Sequence, residues 1–290
     1  MEFLSKLLVC FLAGAGAGIG TGFVGMSAAA IIGPMLSTFL NIPSYQAIGI
    51  GLASDVLASA VSAFTYKKND NLDIRNSMPL IVSVLCATVV GSYASSFIPE
   101  WAMDGSIQIV MIIVGCRFLF KPVTTTKEDM NSDSKRVRTV KAIAGGIIVG
   151  LICGSVGAGG GIMLLFVLTT FLKYELHTAV GTSVFIMSFI AFTGSISHFA
   201  LDDEKADFLC LILCVVFTFV WARIAAKIAN KAKAETLNKI VGIIMITTAV
   251  VVLFVNNRRS FTMEFHILDN FTKGNATVKE TVLNLFPWLN

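Results

Sequence analysis

The sequence predicts an all-α, polytopic integral membrane protein. Of its 290 residues, 55% are hydrophobic and only 14% are charged, and the mean hydropathy is +0.79. Soluble globular chains carry about 25% charged residues. The apolar residues come in runs of about 17–25, the length that an α-helix needs to cross a bilayer core. The lipid bilayer is therefore a predicted partner, and nucleic acid is not, because the basic residues lie between the apolar runs.

A second observation is a pattern of glycines that occurs twice, at an offset of 132 residues. The register continues downstream without a gap, because Gly49 matches Gly181 and Tyr66 matches His198. Such a repeat indicates an internal duplication, so the sequence predicts two related helical halves. The matched glycines are Gly14, Gly18, Gly22 and Gly25 in the first half and Gly146, Gly150, Gly154 and Gly157 in the second.

The polar stretches divide the chain into four parts. We expect a first transmembrane repeat, a basic cytoplasmic linker, a second transmembrane repeat and a polar C-terminal tail, over residues 1–120, 121–141, 142–255 and 256–290. The linker is the longest interior polar stretch, and the tail is too polar to span a membrane.

The charges of the loops predict orientation, since cytoplasmic loops are enriched in Lys and Arg. One loop, 202–207, is acidic, and the basic loops cover 67–75, 121–141 and 227–239. Equivalent ends of the two halves therefore fall on opposite sides, which predicts inverted copies related by a pseudo-twofold axis in the membrane plane. Both termini are then external, in what we expect to be the plasma membrane. The sequence leaves a homo-oligomer open.

Each half begins with two apolar pieces around a glycine break. In the first half, residues 22–27 interrupt the apolar pattern, and the piece that follows, 28–40, has 13 residues. As a helix it measures roughly 20 Å, which is short for a bilayer core of about 30 Å. Two alternatives remain: ten spans, or six spans plus two re-entrant hairpins. The short piece favours elements that stop partway.

The breaks predict a binding site for a small anion near the midplane. A restarting helix presents unpaired backbone N–H groups and partial positive charge, and glycine lets an anion approach them. Such freed backbone groups must face protein, water or a ligand inside a membrane. We expect donors from the backbone amides and hydroxyl groups of Gly25, Ser27, Ser155, Gly157, Gly159, Gly160, Gly161, Thr182 and Ser183.

Asp55 is the acidic residue well inside a predicted span. A carboxylate there is costly unless it has a partner, which makes it a candidate for function. Proton coupling is one interpretation, and a structural hydrogen bond to Ser54 or Ser59 is the other. The second half carries Met187 at the equivalent position.

The second half contains two motifs, Gly157-Ala-Gly-Gly-Gly161 and Ala179-Val-Gly-Thr-Ser183. In these motifs, and in its division into two related halves, the chain resembles the sulfite exporter TauE/SafE family of small anion permeases. The first half is degenerate, with Gly25-Met-Ser-Ala-Ala29 and Ala47-Ile-Gly-Ile-Gly51 in their place.

The resemblance implies a secondary transporter for sulfite, an organosulfonate or another small sulfur-containing anion, working as an exporter. The alternative is an uncoupled, channel-like facilitator of the same fold. The sequence shows no ATP-binding motif and no His, Cys, Asp or Glu constellation at catalytic or metal-binding spacing. We therefore predict no enzymatic activity, no cofactor and no metal.

Overall fold

The structure, a computed structural model, describes residues 2–95, 100–131, 134–156, 160–201 and 207–273. These residues form ten α-helices and one 3-10 turn and contain no strand, which confirms the all-helical prediction. The helices are α1 (Glu2–Val24), α2 (Ala29–Phe39), α3 (Ser44–Lys67), α4 (Ile74–Ser95), α5 (Glu100–Phe120), α6 (Lys135–Val156), α7 (Gly160–Thr170), α8 (Leu176–Leu201), α9 (Phe208–Lys231) and α10 (Ala234–Lys273).

Six helices in the described part of the chain are long and apolar enough to cross a membrane. The qualifying segments are Phe3–Val24, Ser44–Lys67, Ile74–Gly91, Leu176–Ile196, Phe208–Lys231 and Ala234–Val255. Three apolar helical segments are shorter, namely Ala29–Phe39, Gln108–Phe120 and Gly160–Thr170. Two of these, α2 and α7, follow the predicted breaks. With 11 residues each, they are roughly 16 Å long, about half of a bilayer core.

Both short helices fold back along the helix before them. A Cβ atom built at Gly16 of α1 would lie 3.7 Å from Cγ2 of Ile31 in α2, and one built at Gly145 of α6 would lie 2.5 Å from Cγ1 of Val167 in α7. Each half therefore begins with a helical hairpin, α1–α2 or α6–α7. The first break follows Val24, where the glycine pattern predicts it, and the residues predicted for the second break, 157–159 between α6 and α7, lie outside the described part of the chain.

The first helix of each half packs against the fourth helix of the other half. Thus α1 lies on α9, and α6 lies on α4. The predicted glycine faces make these contacts: a Cβ at Gly18 would lie 2.6 Å from the Thr218 carbonyl oxygen, and one at Gly150 would lie 2.5 Å from the Val84 carbonyl oxygen. Glycine is needed at both places because backbone approaches backbone. Between these pairs, α3 packs against α8.

The basic connections meet at one end of the bundle. The Nζ atom of Lys127 donates to the Asp70 carbonyl oxygen at 2.9 Å, and the Nδ2 atom of Asn71 donates to Oδ1 of Asn230 at 2.9 Å. These contacts join the three loops that the sequence predicts to be cytoplasmic. The acidic connection lies at the other end, where Asp207 pairs with Lys6 near the start of α1.

Two helix bounds differ from the predicted segment bounds. Helix α6 begins at Lys135, inside the predicted linker 121–141, and α10 continues to Lys273, beyond residue 255 where we expected the second repeat to end. In both cases the helix extends past its apolar part into polar sequence. Apolar runs mark the part of a helix that lies in lipid and not its full length.

Candidate functional site

The first break is a tight turn built on Gly25. This residue has φ of +73°, a backbone conformation that glycine adopts without the strain of a side chain. Its N–H donates to the Thr21 carbonyl oxygen at 2.9 Å. The Thr21 hydroxyl group donates to the carbonyl oxygen of Met26 at 3.0 Å, so backbone groups freed by the break are satisfied locally. The chain then re-enters a helix at Ala29.

The two breaks touch each other through their backbones. A Cβ atom at Gly161, in the first turn of α7, would overlap the carbonyl oxygen of Gly25. A Cβ atom at Gly25 would overlap Oγ of Ser183 in α8, whose hydroxyl group donates to the Val180 carbonyl oxygen at 2.9 Å. Glycines from both halves thus let two discontinuous segments meet at one point in the protein interior.

Asp55 lies at this meeting point, twelve residues into α3 and fully buried. The Ser59 hydroxyl group donates to its Oδ1 atom at 2.7 Å. The Ser27 hydroxyl group and the Ala28 backbone amide, at the start of α2, face the same carboxyl group. Within the described residues, however, Ser27 Oγ and Asp55 Oδ2 complete no hydrogen bond. A negative charge here is favoured by the N-terminus of α2, which carries partial positive charge.

The second half repeats this geometry with different chemistry. Met187 is twelve residues into α8 and equivalent to Asp55. A Cβ atom at Gly160, the equivalent of Ala28, would lie 3.3 Å from Sδ of Met187 and 2.5 Å from Sγ of Cys153. The start of α2 therefore faces a carboxyl group, whereas the start of α7 faces sulfur atoms. The two halves of the site are equivalent in position and unequal in charge.

Two ion pairs close the opposite ends of the bundle. Lys6 pairs with Asp207 at 2.9 Å, and Arg138 pairs with Asp73 at 3.0 Å. Lys6 and Arg138 occupy equivalent positions at the 132-residue offset. Each acid also accepts backbone hydrogen bonds at the start of a fourth helix, two for Asp207 in α9 and one for Asp73 in α4. Each pair thus ties a hairpin of one half to the fourth helix of the other.

The Arg138 end carries further contacts. The Tyr174 hydroxyl group donates to Oδ2 of Asp73 at 3.1 Å and accepts from Arg138 at 3.0 Å. Burial and the Asp73 carboxylate raise the pKa of Tyr174 to about 12, so the hydroxyl group keeps its proton at neutral pH. Thr182 also lies at this end, where its Oγ1 atom accepts the Asp73 backbone N–H at 3.3 Å.

A carboxylate–imidazole pair lies beside this network at the start of α8. Oε1 of Glu175 is 2.6 Å from Nδ1 of His177, and Nε2 of His177 is 3.0 Å from the Ala232 carbonyl oxygen. Burial acts to raise the pKa of Glu175, but hydrogen bonds from His177 and Thr178 outweigh it and lower the pKa to about 2. Both side chains are about one-eighth exposed, at 14% and 12%.

The predicted site residues fall into three groups. The structure brings Gly25, Ser27, Gly160, Gly161, Ser183 and Asp55 together at the breaks. Thr182, one residue from Ser183, instead contacts the α3–α4 connection. The predicted site residues Gly157 and Gly159, and the side chain of Ser155, lie outside the described part of the structure.

Sequence reasoning missed the two ion pairs. The repeat offset contained a signal for the ion pairs, because it aligns Lys6 with Arg138. It also aligns Cys153 with Thr21, which has a structural role in the first break. Among the described residues, no group of three or more His, Cys, Asp and Glu side chains could hold a metal ion.

A comparison with known families decides what kind of protein this is. Residues 10–252 match the family described as sulfite exporter TauE/SafE. The chain belongs to this family. It is therefore a multi-pass membrane transporter, and the resemblance carried by the glycine motifs is confirmed.

Curated relatives support the same class. The chain is 25% identical over 230 residues to the probable membrane transporter protein YdhB of Bacillus subtilis, covering 77% of this chain and 89% of the relative. It is 23% identical over 261 residues to a probable membrane transporter protein of Haemophilus influenzae, covering 84% and 97%. A second Bacillus subtilis relative, YunE, is 21% identical over 242 residues, covering 79% and 88%. No solved structure matches the chain significantly.

Proposed function

We propose that this TauE/SafE transporter is a secondary permease that exports sulfite, an organosulfonate or another small sulfur-containing anion, and that the anion binds where the two breaks meet. The observation that carries the proposal is the buried pair of Asp55 and Ser27 at the start of α2, where Ser27 Oγ and Asp55 Oδ2 complete no hydrogen bond in the described structure. Groups of this kind are stable inside a membrane protein when a ligand or a proton completes them.

In this proposal, Asp55 couples the anion to a proton. An anion at the start of α2 competes with the Asp55 carboxylate for the same backbone amides. Two unit charges about 4 Å apart repel by about 4 kcal/mol at an effective dielectric constant of about 20, which is roughly a thousandfold in affinity. The anion therefore binds when Asp55 is protonated, and one proton accompanies each anion.

Alternating access would use the two ion pairs as the opposite closures. The halves would be inverted repeats, with the Arg138 end cytoplasmic and the Lys6 end and both termini external, in the plasma membrane. The clustering of the basic connections around Asn71 and Lys127 supports this orientation. Opening one end would require the hairpin at that end to leave the fourth helix of the other half. The tips of both hairpins meet at the site, so each closure acts on it directly.

Transport of sulfite into proteoliposomes, with and without a pH gradient, tests the proposal. We expect saturable flux that rises when the side from which the anion binds is acidic. Asp55→Asn should keep saturable flux and lose its dependence on the pH gradient, because an amide cannot titrate. Gly16→Ala is a control substitution that should keep both the flux and its pH dependence, since a Cβ there makes only ordinary contact, at 3.7 Å. Absence of flux for sulfite and for a panel of sulfonates, from folded wild-type protein, would refute the substrate class.

A further inference from the structure

One buried face of α3 carries a row of polar groups. Asp55, Ser59, Ser62 and Tyr66 follow each other at steps of four, three and four residues, so they share one side of the helix. None of the four is exposed. The row covers eleven residues from Asp55, roughly 16 Å of helix. It leads from the meeting point of the breaks to the end of the bundle where the basic connections lie.

The contacts along this row extend it in both directions. Ser59 donates to Asp55 at 2.7 Å, and the Tyr66 hydroxyl group donates to the Gly22 carbonyl oxygen at 2.9 Å. Beyond Tyr66, the start of α8 is close by, because a Cβ atom at Gly181, one turn after His177, would lie 2.8 Å from Cβ of Tyr66. There Glu175 is hydrogen-bonded to His177. This last pair is partly exposed, so the row begins at a buried acid and ends beside groups that reach solvent.

Ser62 is the member of the row whose buried hydroxyl group has no hydrogen-bond partner among the described residues. A buried serine in a helix normally donates to the carbonyl oxygen four residues earlier, as Ser54 does to Ile50 at 2.8 Å. The Ser62 hydroxyl group makes no hydrogen bond within the described residues, although it is fully buried. Burying an unpaired hydroxyl group costs free energy. A role in passing protons would account for it.

The second half lacks this row. The residues equivalent to Asp55, Ser59 and Ser62 are Met187, Ala191 and Gly194. Helices α3 and α8 pack against each other, and α3 also packs closely against α9. The polar groups therefore belong to one half only, where they recur at successive turns of one helix.

We propose that this face of α3 is a proton path between Asp55 and the Glu175–His177 pair, which gives Asp55 access to protons at the end of the bundle where the basic connections lie. The inference rests on the proposed coupling role of Asp55. A proton passes from His177 to the hydrogen-bonded Glu175 carboxylate and from Glu175 to the Tyr66 hydroxyl group, and each hydroxyl group accepts one proton as it releases another toward Asp55. No hydroxyl group changes its net protonation, and one charge moves along the row.

The polar groups that face Asp55 come from its own helix and from the first break. Its polar neighbours are Ser59 from its own helix and Ser27 and the Ala28 amide from the first break. The Tyr66 hydroxyl group donates to Gly22, and His177 contacts Glu175 and Ala232. Among the polar groups of the described residues, Asp55 therefore contacts only hydroxyl and amide groups. The nearest other carboxylate described along the row is that of Glu175, at the Tyr66 end.

The test measures proton transfer without any anion. Purified protein is exposed to a rapid pH change, and protonation of Asp55 is followed by the infrared absorption of its carboxylic C=O bond, assigned by its loss in Asp55→Asn. We expect Ser62→Ala to slow protonation at least tenfold and Ser62→Thr, which keeps the hydroxyl group, to restore most of the rate. Ser54→Ala, on the same helix and outside the row, should match wild type.

Equal rates in Ser62→Ala and wild type would overturn the path, and so would an Asp55 band that shows no change with pH. Unfolding is controlled by comparing the thermal stability of Ser62→Ala with that of Ser62→Thr. The result is independent of sulfite flux. If sulfite flux is absent but Ser62→Ala slows the protonation of Asp55 as expected, the substrate is refuted. If flux is normal but Ser62→Ala does not change the protonation rate, the path is refuted.

Discussion

Contact between the two breaks can be tested by adding one carbon atom to Gly161. In Gly161→Ala, the new methyl group would overlap the carbonyl oxygen of Gly25. Overpacking costs about 1–3 kcal/mol, and the upper part of that range applies because a backbone carbonyl cannot rotate away as a side chain can. Alanine in a helix recovers up to about 1 kcal/mol relative to glycine. We expect a net loss of about 1–2 kcal/mol in the free energy of unfolding.

The matched control is Gly16→Ala, in the other hairpin, where the methyl group meets only the Ile31 side chain at 3.7 Å. This variant gains the higher helix propensity of alanine without the steric overlap. The free energies of unfolding of the two alanine variants should therefore differ by about 2–3 kcal/mol. Denaturant unfolding in detergent micelles, followed by far-UV circular dichroism, measures the difference. Gly161→Ala should also lose sulfite flux. Equal stability and flux in both variants would show that the hairpin tips do not touch.

Three further predictions concern the ends of the bundle and the glycine faces. Arg138→Ala should increase maleimide labelling of Cys153 several-fold, measured by mass spectrometry, because loss of the ion pair would open this end of the bundle toward the site. Lys127→Ala removes only a surface contact and should leave the labelling unchanged. Glu175 has a pKa of about 2 against a usual 4.5, so it stabilises the fold above about pH 4.5 and this contribution is lost as the pH falls toward 2; Glu175→Gln should lower the melting temperature at pH 7 and not at pH 2. Gly18→Leu should prevent recovery of folded protein, because its Cβ would lie 2.6 Å from the Thr218 carbonyl oxygen; normal yield on size-exclusion chromatography would contradict the α1–α9 contact.

The helices and their breaks were predictable because hydrophobicity and glycine act locally. An apolar run predicts a span by its length, and the cluster around Gly25 predicts a break by its backbone freedom. The repeat offset then carried the same prediction to the second half. Asp55 was predictable as a candidate because a carboxylate inside an apolar run is costly unless it has a partner or takes part in transport.

The neighbours of these residues were not predictable, because they depend on how distant segments meet. Thr182 and Ser183 are adjacent in sequence but lie on different sides of α8, so one contacts the α3–α4 connection and the other contacts Gly25. The Lys6–Asp207 pair joins residues 201 positions apart. Its members are ordinary interfacial charges until the packing of α1 on α9 brings them together.

The exchange of first helices between the halves has a consequence for biosynthesis. Helix α1 is made first, yet its partner α9 follows about 200 residues later, which at roughly 5–20 residues per second is a delay of about 10–40 s. During that time the glycine face of α1 lacks the helix against which it packs in the folded protein. A chain released after the first repeat would never cover that face, and α4 would likewise wait for α6. We therefore expect the two halves to mature as one unit, because each supplies a helix that the other needs.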